Sequence, residues 1–535
     1  MKHKLFLLAL LIVAGIGVWA IWYSSPYGFG LVNDSATYVE GATNLLAGNG
    51  YVRTSGGGEL KPITHFPPLF SLLLAALGMA GFDLLEGGRL AISLLFGIDI
   101  VLVGLSVYKI SGSQLFALLG ALLLAASDVH LGVYAMLMSE PLFLTLLLAT
   151  CLALAKSFEH QHWGWPLLTG ILLSLTILTR YAGASLLIPI LLTFTLLKME
   201  GRPPIPGRIS LRANPLWAVA LLLAGMLLPL LAWMGYNLRL SQASSLGNRQ
   251  FNWHPIPLAT LLEGIKNLLT WLAPDDLLAA HRLWGWLFSL LALIVVPGIL
   301  AWLGWVIWHQ WRGRPAVQPS TGSLALAFVL AAHILTYLGF LILSISLFDA
   351  TTPLNDRILA VAYVPEMILF ASGLAWLWQA LGKQEAAKWI LALFCAGLVL
   401  ASLWDGATAV HDLRLEGRGF AHQGWQESPA IQTVRDLPTT TIIYSDKPGA
   451  IFLLTGRAAY VLPTPMDAVT TQARANFAGD LAQMQTRLLG GQAVLVLFDL
   501  QNSAEPADVA TYDEISAGMP VLANYGNVII FGSLP

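Results

Sequence analysis

The chain has 535 residues, of which 56% are hydrophobic and only 11% charged, and its mean hydropathy is +0.70. This composition excludes an ordinary water-soluble globular protein and indicates a polytopic membrane protein. The formal net charge of -2 offers no basic surface for nucleic acid, and the two cysteines, Cys151 and Cys395, sit inside apolar runs as packing residues rather than as a disulfide or metal pair.

Met1-Lys2-His3-Lys4 precedes an apolar run from Leu5 to Tyr23, about as long as a bilayer requires. No small-x-small cleavage site follows it. The bulky residues Trp19, Trp22 and Tyr23 do, so the run reads as an uncleaved first span and not as a signal peptide. Residues 24–67 form a polar loop holding Asp34, Tyr38, Glu40, Arg53, Lys61 and His65. Within it, Val39, Ala42 and Leu46 recur at helical spacing and Gly48-Asn49-Gly50 closes the run, which predicts a short helix with Ser35 or Asp34 as its N-cap. Peptide N–H groups at a helix N-terminus favour an ionised carboxylate, the form a general base needs, although an ordinary cap has the same pattern.

Pro67-Pro68 opens an apolar segment, 69–82, of only about fourteen residues where a span needs roughly twenty, so it is expected to lie flat in the membrane interface. About eleven spans are expected, near 5–23, 89–110, 114–128, 141–158, 165–180, 183–198, 215–237, 284–309, 322–347, 359–381 and 389–404. With 69–82 lying flat, the basic loops Lys198 to Arg212, Arg312 to Arg314 and Lys383 to Lys388 all fall on the side of Lys2 and Lys4, as the positive-inside rule requires. The same parity gathers Asp34, Arg89, Glu140, Arg180, Arg357 and the C-terminal tail on the outer side of a plasma (inner) membrane. Trp253, Trp271, Trp284 and Trp286 at one end of span 284–309, and Trp302, Trp305, Trp308 and Trp311 at the other, read as aromatic belts. His160 and His162 read as solvated loop.

After Trp404 charges return, and the strand-like runs 441–444, 493–498 and 527–531 alternate with helical stretches, one of them 468–489. The expected division is therefore a transmembrane catalytic domain, 1–404, and a small extracytoplasmic α/β domain, 405–535. The latter has no Gly-rich phosphate loop after a strand.

Three charged residues interrupt apolar sequence and are functional candidates on that ground. Glu140 begins a span in Ser139-Glu140-Pro141-Leu142-Phe143. Arg180 breaks a long apolar stretch in Thr179-Arg180-Tyr181-Ala182-Gly183 and needs a partner. Arg357 stands at the mouth of span 359–381, where it can pair with Asp356 or Asp349 or hold an anion such as phosphate in its fork of donors.

The chain resembles the GT-C glycosyltransferases, integral-membrane enzymes dependent on polyprenyl-phosphate sugars, which include protein mannosyltransferases and aminoarabinose transferases. The resemblance runs over most of the chain and is carried by Asn33-Asp34-Ser35 with Tyr38, His65-Phe66-Pro67-Pro68-Leu69, Ser139-Glu140-Pro141-Leu142-Phe143, Thr179-Arg180-Tyr181-Ala182-Gly183, Asp356-Arg357, and Ser445-Asp446-Lys447-Pro448-Gly449 through Gly456-Arg457. It implies a catalytic base at Asp34, a supporting carboxylate at Glu140, and substrate contacts from Tyr38, His65, Arg180 and Arg357. It also implies inverting transfer to a glycan, lipid or protein acceptor. No cofactor is demanded. A divalent metal stays open, because no second carboxylate stands two residues from Asp34 as in the family. The competing class is a transporter or flippase, against which stand the gathering of the charges at one face and the lack of an inverted repeat; a third is a non-catalytic scaffold presenting the C-terminal domain.

Overall fold

The computed structural model describes residues 2–53, 60–160, 162–197, 215–241, 251–271, the positions 298, 301, 304, 305 and 308, and 320–467, 472–474, 476–498 and 515–532. In chain order the first helices are α1 (Lys2–Tyr23), α2 (Asn33–Leu46), α3 (Leu69–Met79), α4 (Leu84–Ser111), α5 (Gln114–Ala126), α6 (Asp128–Tyr134), α7 (Glu140–Glu159), α8 (Gly164–Thr179) and α9 (Leu187–Leu196). After them come α10 (Pro215–Ser241), α11 (Leu258–Thr270), α12 (Thr321–Leu347), α13 (Asp356–Ala380) and α14 (Glu385–Glu416). Seven of these, α1, α4, α7, α10, α12, α13 and α14, are long and apolar enough to cross a membrane.

The remaining expected spans take less regular forms. The 114–128 segment is the first half of a pair, α5 and α6, bent by 60° where the Ser127 hydroxyl leaves the α5 pattern and accepts the His130 N–H as the cap of α6. The 165–180 and 183–198 segments are the shorter helices α8 and α9, joined by a 3-10 turn, Tyr181–Leu186. Gly183 permits that tight turn, since a Cβ there would lie 2.9 Å from the backbone of Thr176 and Ile177. The expected span 284–309 and the basic loops 198–212 and 312–314 lie outside the described residues, apart from isolated positions. The last span does not end at Trp404. It continues as one helix to Glu416, so the return of charge there marks a helix leaving its apolar zone rather than a helix end.

Polar contacts define two ends of the bundle. At one, Arg89 on α4 donates to Trp22 O (2.9 Å) and Ser25 Oγ (3.0 Å), and Arg414 at the end of α14 donates to Tyr23 O (2.9 Å). At the other, Lys109 pairs with Glu159 at 2.6 Å, Ser323 donates to Lys109 O and Gln379 donates to Ser111 O. α2 and α3 form a layer at the first end and run side by side in the same direction: Ser71 donates to Tyr38 O (3.0 Å), and a Cβ on Gly78 would meet Leu46. At eleven residues α3 reaches only about half of a hydrocarbon core, consistent with an interfacial helix.

Beyond α14 lie α15 (Pro429–Asp436), α16 (Pro448–Thr455) and α17 (Phe477–Leu489) around a five-stranded sheet. A β1–β2 hairpin (Val52–Arg53, Lys61–Pro62) belongs to the first loop. The sheet is built from β3 (Ile442–Ser445), β4 (Tyr460–Val461), β7 (Ala493–Leu497), β8 (Val521–Asn524) and β9 (Ile529–Phe531), in the order β4-β3-β7-β9-β8. β3 runs parallel to β4 and β7, and β9 antiparallel to β7 and β8. Side chains alternate as a sheet covered on both faces demands: Ile443, Val494, Val496 and Ile530 pack with α15 and Ile451, while Tyr444, Leu495 and Leu497 pack with Met484 and Leu488 of α17. The helix expected over 468–489 begins later, at Phe477, because Met466–Asp467 and Gln472–Ala473 form a small hairpin, β5 with β6.

Trp253, Trp305 and Trp308 are exposed, as the aromatic-belt reading requires, whereas Trp271 departs from it: it is buried and donates its indole N–H to Glu366 (2.9 Å). Trp284, Trp286, Trp302 and Trp311 lie outside the described residues. Cys151 and Cys395 are both free thiols.

Candidate active site

Asp34 is the second residue of α2, and its carboxylate does not cap that helix. The helix starts from an extended Val32 (φ -140°, ψ 179°) without a side-chain cap, and Ser35 reaches back so that its hydroxyl accepts the Val32 N–H at 3.1 Å. The expected capping roles of Asp34 and Ser35 are thus replaced: Ser35 fills the third helical position and Asp34 turns away from the peptide groups. Its Oδ2 lies 3.5 Å from Nη1 of Arg357. One turn later the buried Tyr38 hydroxyl shares a 2.9 Å hydrogen bond with Ser139 Oγ, and its ring stands edge-on to Phe70.

Glu140 opens α7 with its side chain 1% exposed and its Oε1 2.9 Å from Arg180 Nη1 and 3.8 Å from Arg357 Nε. A buried carboxylate without partners would be costly, and these two guanidiniums supply its compensation. Arg180 occupies the extended residue (φ -149°, ψ 133°) between α8 and the 3-10 turn, which swings its side chain out of the helix; it also donates to Ser139 Oγ (3.1 Å). Arg357 is presented by the first turn of α13, fixed where Asn355 Oδ1 accepts the Ile358 N–H. Neither local carboxylate takes it: Asp356 accepts from the Tyr363 hydroxyl (2.9 Å), and Asp349 accepts from the Thr351 N–H and hydroxyl (3.0 and 2.6 Å).

The result is an alternating row, Asp34, Arg357, Glu140, Arg180, drawn from four separate parts of the chain. It borders a cavity of about 250 Å³ lined by Asp34, Tyr38, His65, Arg180 and Arg357, with Tyr181, Tyr337 and the 349–353 loop completing the wall. Glu140 stands behind the lining and neutralises it from within. His65 reaches the cavity beside Phe66, edge-on with ring centres 4.8 Å apart. Burial raises the Asp34 carboxyl above the ordinary carboxylate range; Arg357 opposes this and Glu140 reinforces it.

A divalent cation does not suit this arrangement. Both carboxylates are already matched by arginines, and among the described residues no group of three or more His, Cys, Asp or Glu gathers to hold a metal. Two contributors escape a reading of charges alone. Ser139 links Tyr38 to Arg180, and its only signal is its place beside Glu140. Tyr337 lines the cavity and donates to Ile358 O (2.8 Å); its signal is the one phenol in a long, largely apolar helix.

Residues 65–233, which include His65, Glu140 and Arg180, match the family model for dolichyl-phosphate-mannose-protein mannosyltransferase. No curated protein matches the sequence. Among solved structures the chain is similar to ArnT from Cupriavidus metallidurans bound to undecaprenyl phosphate, at 14% identity and TM-score 0.52, with 97% of each chain covered. It is also similar to the oligosaccharyltransferase AglB from Archaeoglobus fulgidus in complex with an inhibitory peptide and a dolichol-phosphate, at 13% identity and TM-score 0.56, covering 96% of this chain and 71% of that one. A third likeness is to the arabinofuranosyltransferase AftD from Mycobacteria, at 15% identity and TM-score 0.53, where this chain's 98% spans 40% of the larger protein. Taken with the converging charges at one end of the helical bundle, these matches show that the chain has the GT-C fold of membrane glycosyltransferases.

Proposed function

We propose that the protein transfers a sugar from a polyprenyl-phosphate donor to a hydroxyl of a glycan, lipid or protein acceptor at the outer face of the plasma membrane, with inversion at the anomeric carbon. The observation that carries this reading is the convergence of Asp34, Glu140, Arg180 and Arg357 on one cavity at the end of the bundle where a membrane-embedded donor would present its head group.

In this reading the ionised Asp34 accepts the proton of the acceptor hydroxyl as its oxygen bonds to the anomeric carbon. The bond from that carbon to the donor phosphate oxygen breaks, and the electron pair leaves with the polyprenyl phosphate. Arg357 is suited to the leaving phosphate because its contacts with Asp34 and Glu140, at 3.5 and 3.8 Å, are loose enough to exchange for phosphate oxygens. His65 and Arg180 line the same wall. Glu140 keeps the two guanidiniums together in a buried setting, and Tyr38 with Ser139 fixes α2 against α7.

Transport is less well supported. The charges around the cavity, Asp34, Glu140, Arg180 and Arg357, gather at one end of the bundle, and the carboxylates buried mid-helix are separately engaged, Asp99 by Tyr134 and Thr145 and Glu366 by Trp271, rather than strung into a path through the membrane interior. The deciding experiment incubates the purified protein with candidate polyprenyl-phosphate sugars and measures released polyprenyl phosphate. Release that depends on acceptor supports transfer; movement of intact donor across a vesicle membrane, with no release, rejects it.

A further inference from the structure

The transfer chemistry leaves one deeply buried aspartate unused. Asp99 lies midway along α4, in apolar sequence, and does not border the cavity. A carboxylate inside a span is costly and calls for a reason. Its Oδ2 accepts two hydroxyls, one from Tyr134, the last residue of α6, and one from Thr145 in the second turn of α7 (2.9 Å), while Oδ1 has no hydrogen-bond partner among the described residues. The Tyr134 ring also packs on Phe96, one turn earlier in α4, with ring centres 4.6 Å apart. These contacts bracket residues 135–139, a wholly buried connection that ends in Ser139 and leads directly into Glu140. From α2 the same connection is held by backbone: the Gly30 N–H donates to Ala135 O (2.8 Å) and the Leu137 N–H to Gly30 O (2.9 Å). From α4 it is Asp99 that holds both flanks. Packing alone does not require a carboxylate there, because exchanging a buried hydrogen-bonded set for apolar groups of similar shape is commonly neutral or stabilising. What the hydroxyls and carboxylate add is direction, fixing both ends of the turn whose exit places Glu140 Oε1 2.9 Å from Arg180 and 3.8 Å from Arg357.

We propose that Asp99 is a positioning residue for the site: through Tyr134 and Thr145 it sets the turn that delivers Ser139 and Glu140 to the two arginines. Its effect on turnover rests on the transfer reading above; the placement itself does not.

The test uses the full-length protein in lipid nanodiscs and combines Asp99→Leu, Tyr134→Phe and Thr145→Val, which replace the polar set by apolar groups together. The expected result separates stability from function: the combined variant melts close to the wild-type temperature yet releases polyprenyl phosphate about ten- to a hundredfold more slowly. Asp99→Asn, which keeps an acceptor oxygen for both hydroxyls, recovers part of that loss. In a Glu140→Gln background the same three changes add little further loss, since both act through one placement. Wild-type turnover in the folded combined variant overturns the proposal, as do losses that simply multiply with that of Glu140→Gln. Should the combined variant fail to fold, Tyr134→Phe alone enters the same cycle and is judged by the same two outcomes. If the wild type releases polyprenyl phosphate from no donor, it is the transfer reading that fails. The placement is then judged by melting, where the three changes are expected to reduce the destabilisation caused by Glu140→Gln; an undiminished destabilisation overturns it.

Discussion

At the scale of single residues, the separation of roles between Asp34 and Arg357 is what can be measured. Asp34→Asn keeps the side chain's size and removes its capacity to take a proton, so turnover should fall by a factor of about 10² to 10⁴ while donor binding persists. Folding should be nearly unaffected, because the carboxylate caps nothing and its 3.5 Å contact with Arg357 is partly exposed, which limits its contribution to well under about 1 kcal/mol. Near-normal turnover in a folded Asp34→Asn protein would remove it as the base. Arg357→Ala should weaken donor binding by roughly 1 to 3 kcal/mol, with Arg357→Lys recovering part, as measured by direct titration with undecaprenyl phosphate. Glu140→Gln should cost less turnover than Asp34→Asn and more stability, since it leaves the buried end of Arg180 uncompensated. The pH dependence has a definite sign. A protonated Asp34 cannot act as base, and burial raises its carboxyl, so activity should fall as pH drops through a point above the ordinary value of about 4. An acid limb in kcat/KM at or below that value would contradict the upward shift of the half-buried Asp34 carboxyl. Glu140, Arg180 and Arg357 were legible in the sequence because a charge beside apolar sequence needs a reason to be there, and Asp34 because it stands at the predicted start of a helix in the first polar loop. Their pairing was not: Asp34 and Arg357 lie hundreds of residues apart, and local rules suggested Asp349 or Asp356 as partners, which Thr351 and Tyr363 occupy instead.

At the scale of elements, α16, the helix that follows β3 in the C-terminal segment, packs against α2. Gly449 at the start of α16 comes so close that a Cβ there would lie 2.7 Å from Asn33 Oδ1 and 3.3 Å from Asn33 Cα, next to the proposed base. Gly449→Val should therefore displace the start of α2 and lower turnover by at least about tenfold, while leaving the domain's own sheet intact by circular dichroism. Unchanged turnover would mean that docking of the two elements does not hold Asp34 in place. The neighbouring Asp446 gives a stability test. Burial pushes its carboxyl up to about 6, against the opposing Phe498 N–H that it accepts at 3.0 Å. The folded protein thus favours the protonated form: this contribution is complete below about pH 4 and is lost as pH rises through about 6, an effect of order 2 to 3 kcal/mol at most. Asp446→Asn should flatten that decline in thermal unfolding curves; an unchanged slope would place the titration elsewhere. Elements with strong periodicity, such as β3, β7 and the long apolar helices, could be read from sequence, because burial on one face or all round imposes a pattern. The bend at Ser127, the 3-10 turn after Arg180 and the hairpin before α17 could not, since each depends on contacts made only after folding.

At the scale of the whole molecule, the order of the ends determines the membrane arrangement. Each long helix links the site-bearing end to the Lys109–Glu159 end, and the chain stands at the first end at Trp271, buried beside Glu366, and at the second at Ser320, near Glu159. The expected span 284–309 falls between these two points and lies outside the described residues. Hydropathy made the long apolar helices readable in advance, because the bilayer constrains their length more strictly than water does. The flat course expected for 69–82 rests on the shortness of α3, whose eleven residues run beside α2. If α3 does not cross, the residues on both its sides share one aqueous face with Asp34. Single cysteines at Ala47 and Glu86, both exposed, in a background lacking Cys151 and Cys395, should react with a membrane-impermeant maleimide added to intact cells, whereas one at exposed Gln384 should react only after the membrane is opened. Labelling at Ala47 with protection at Glu86 would make α3 a true span. It would invert every later helix, place Asp34 and Glu140 on opposite sides of the membrane, and so dismantle the site as well as the topology.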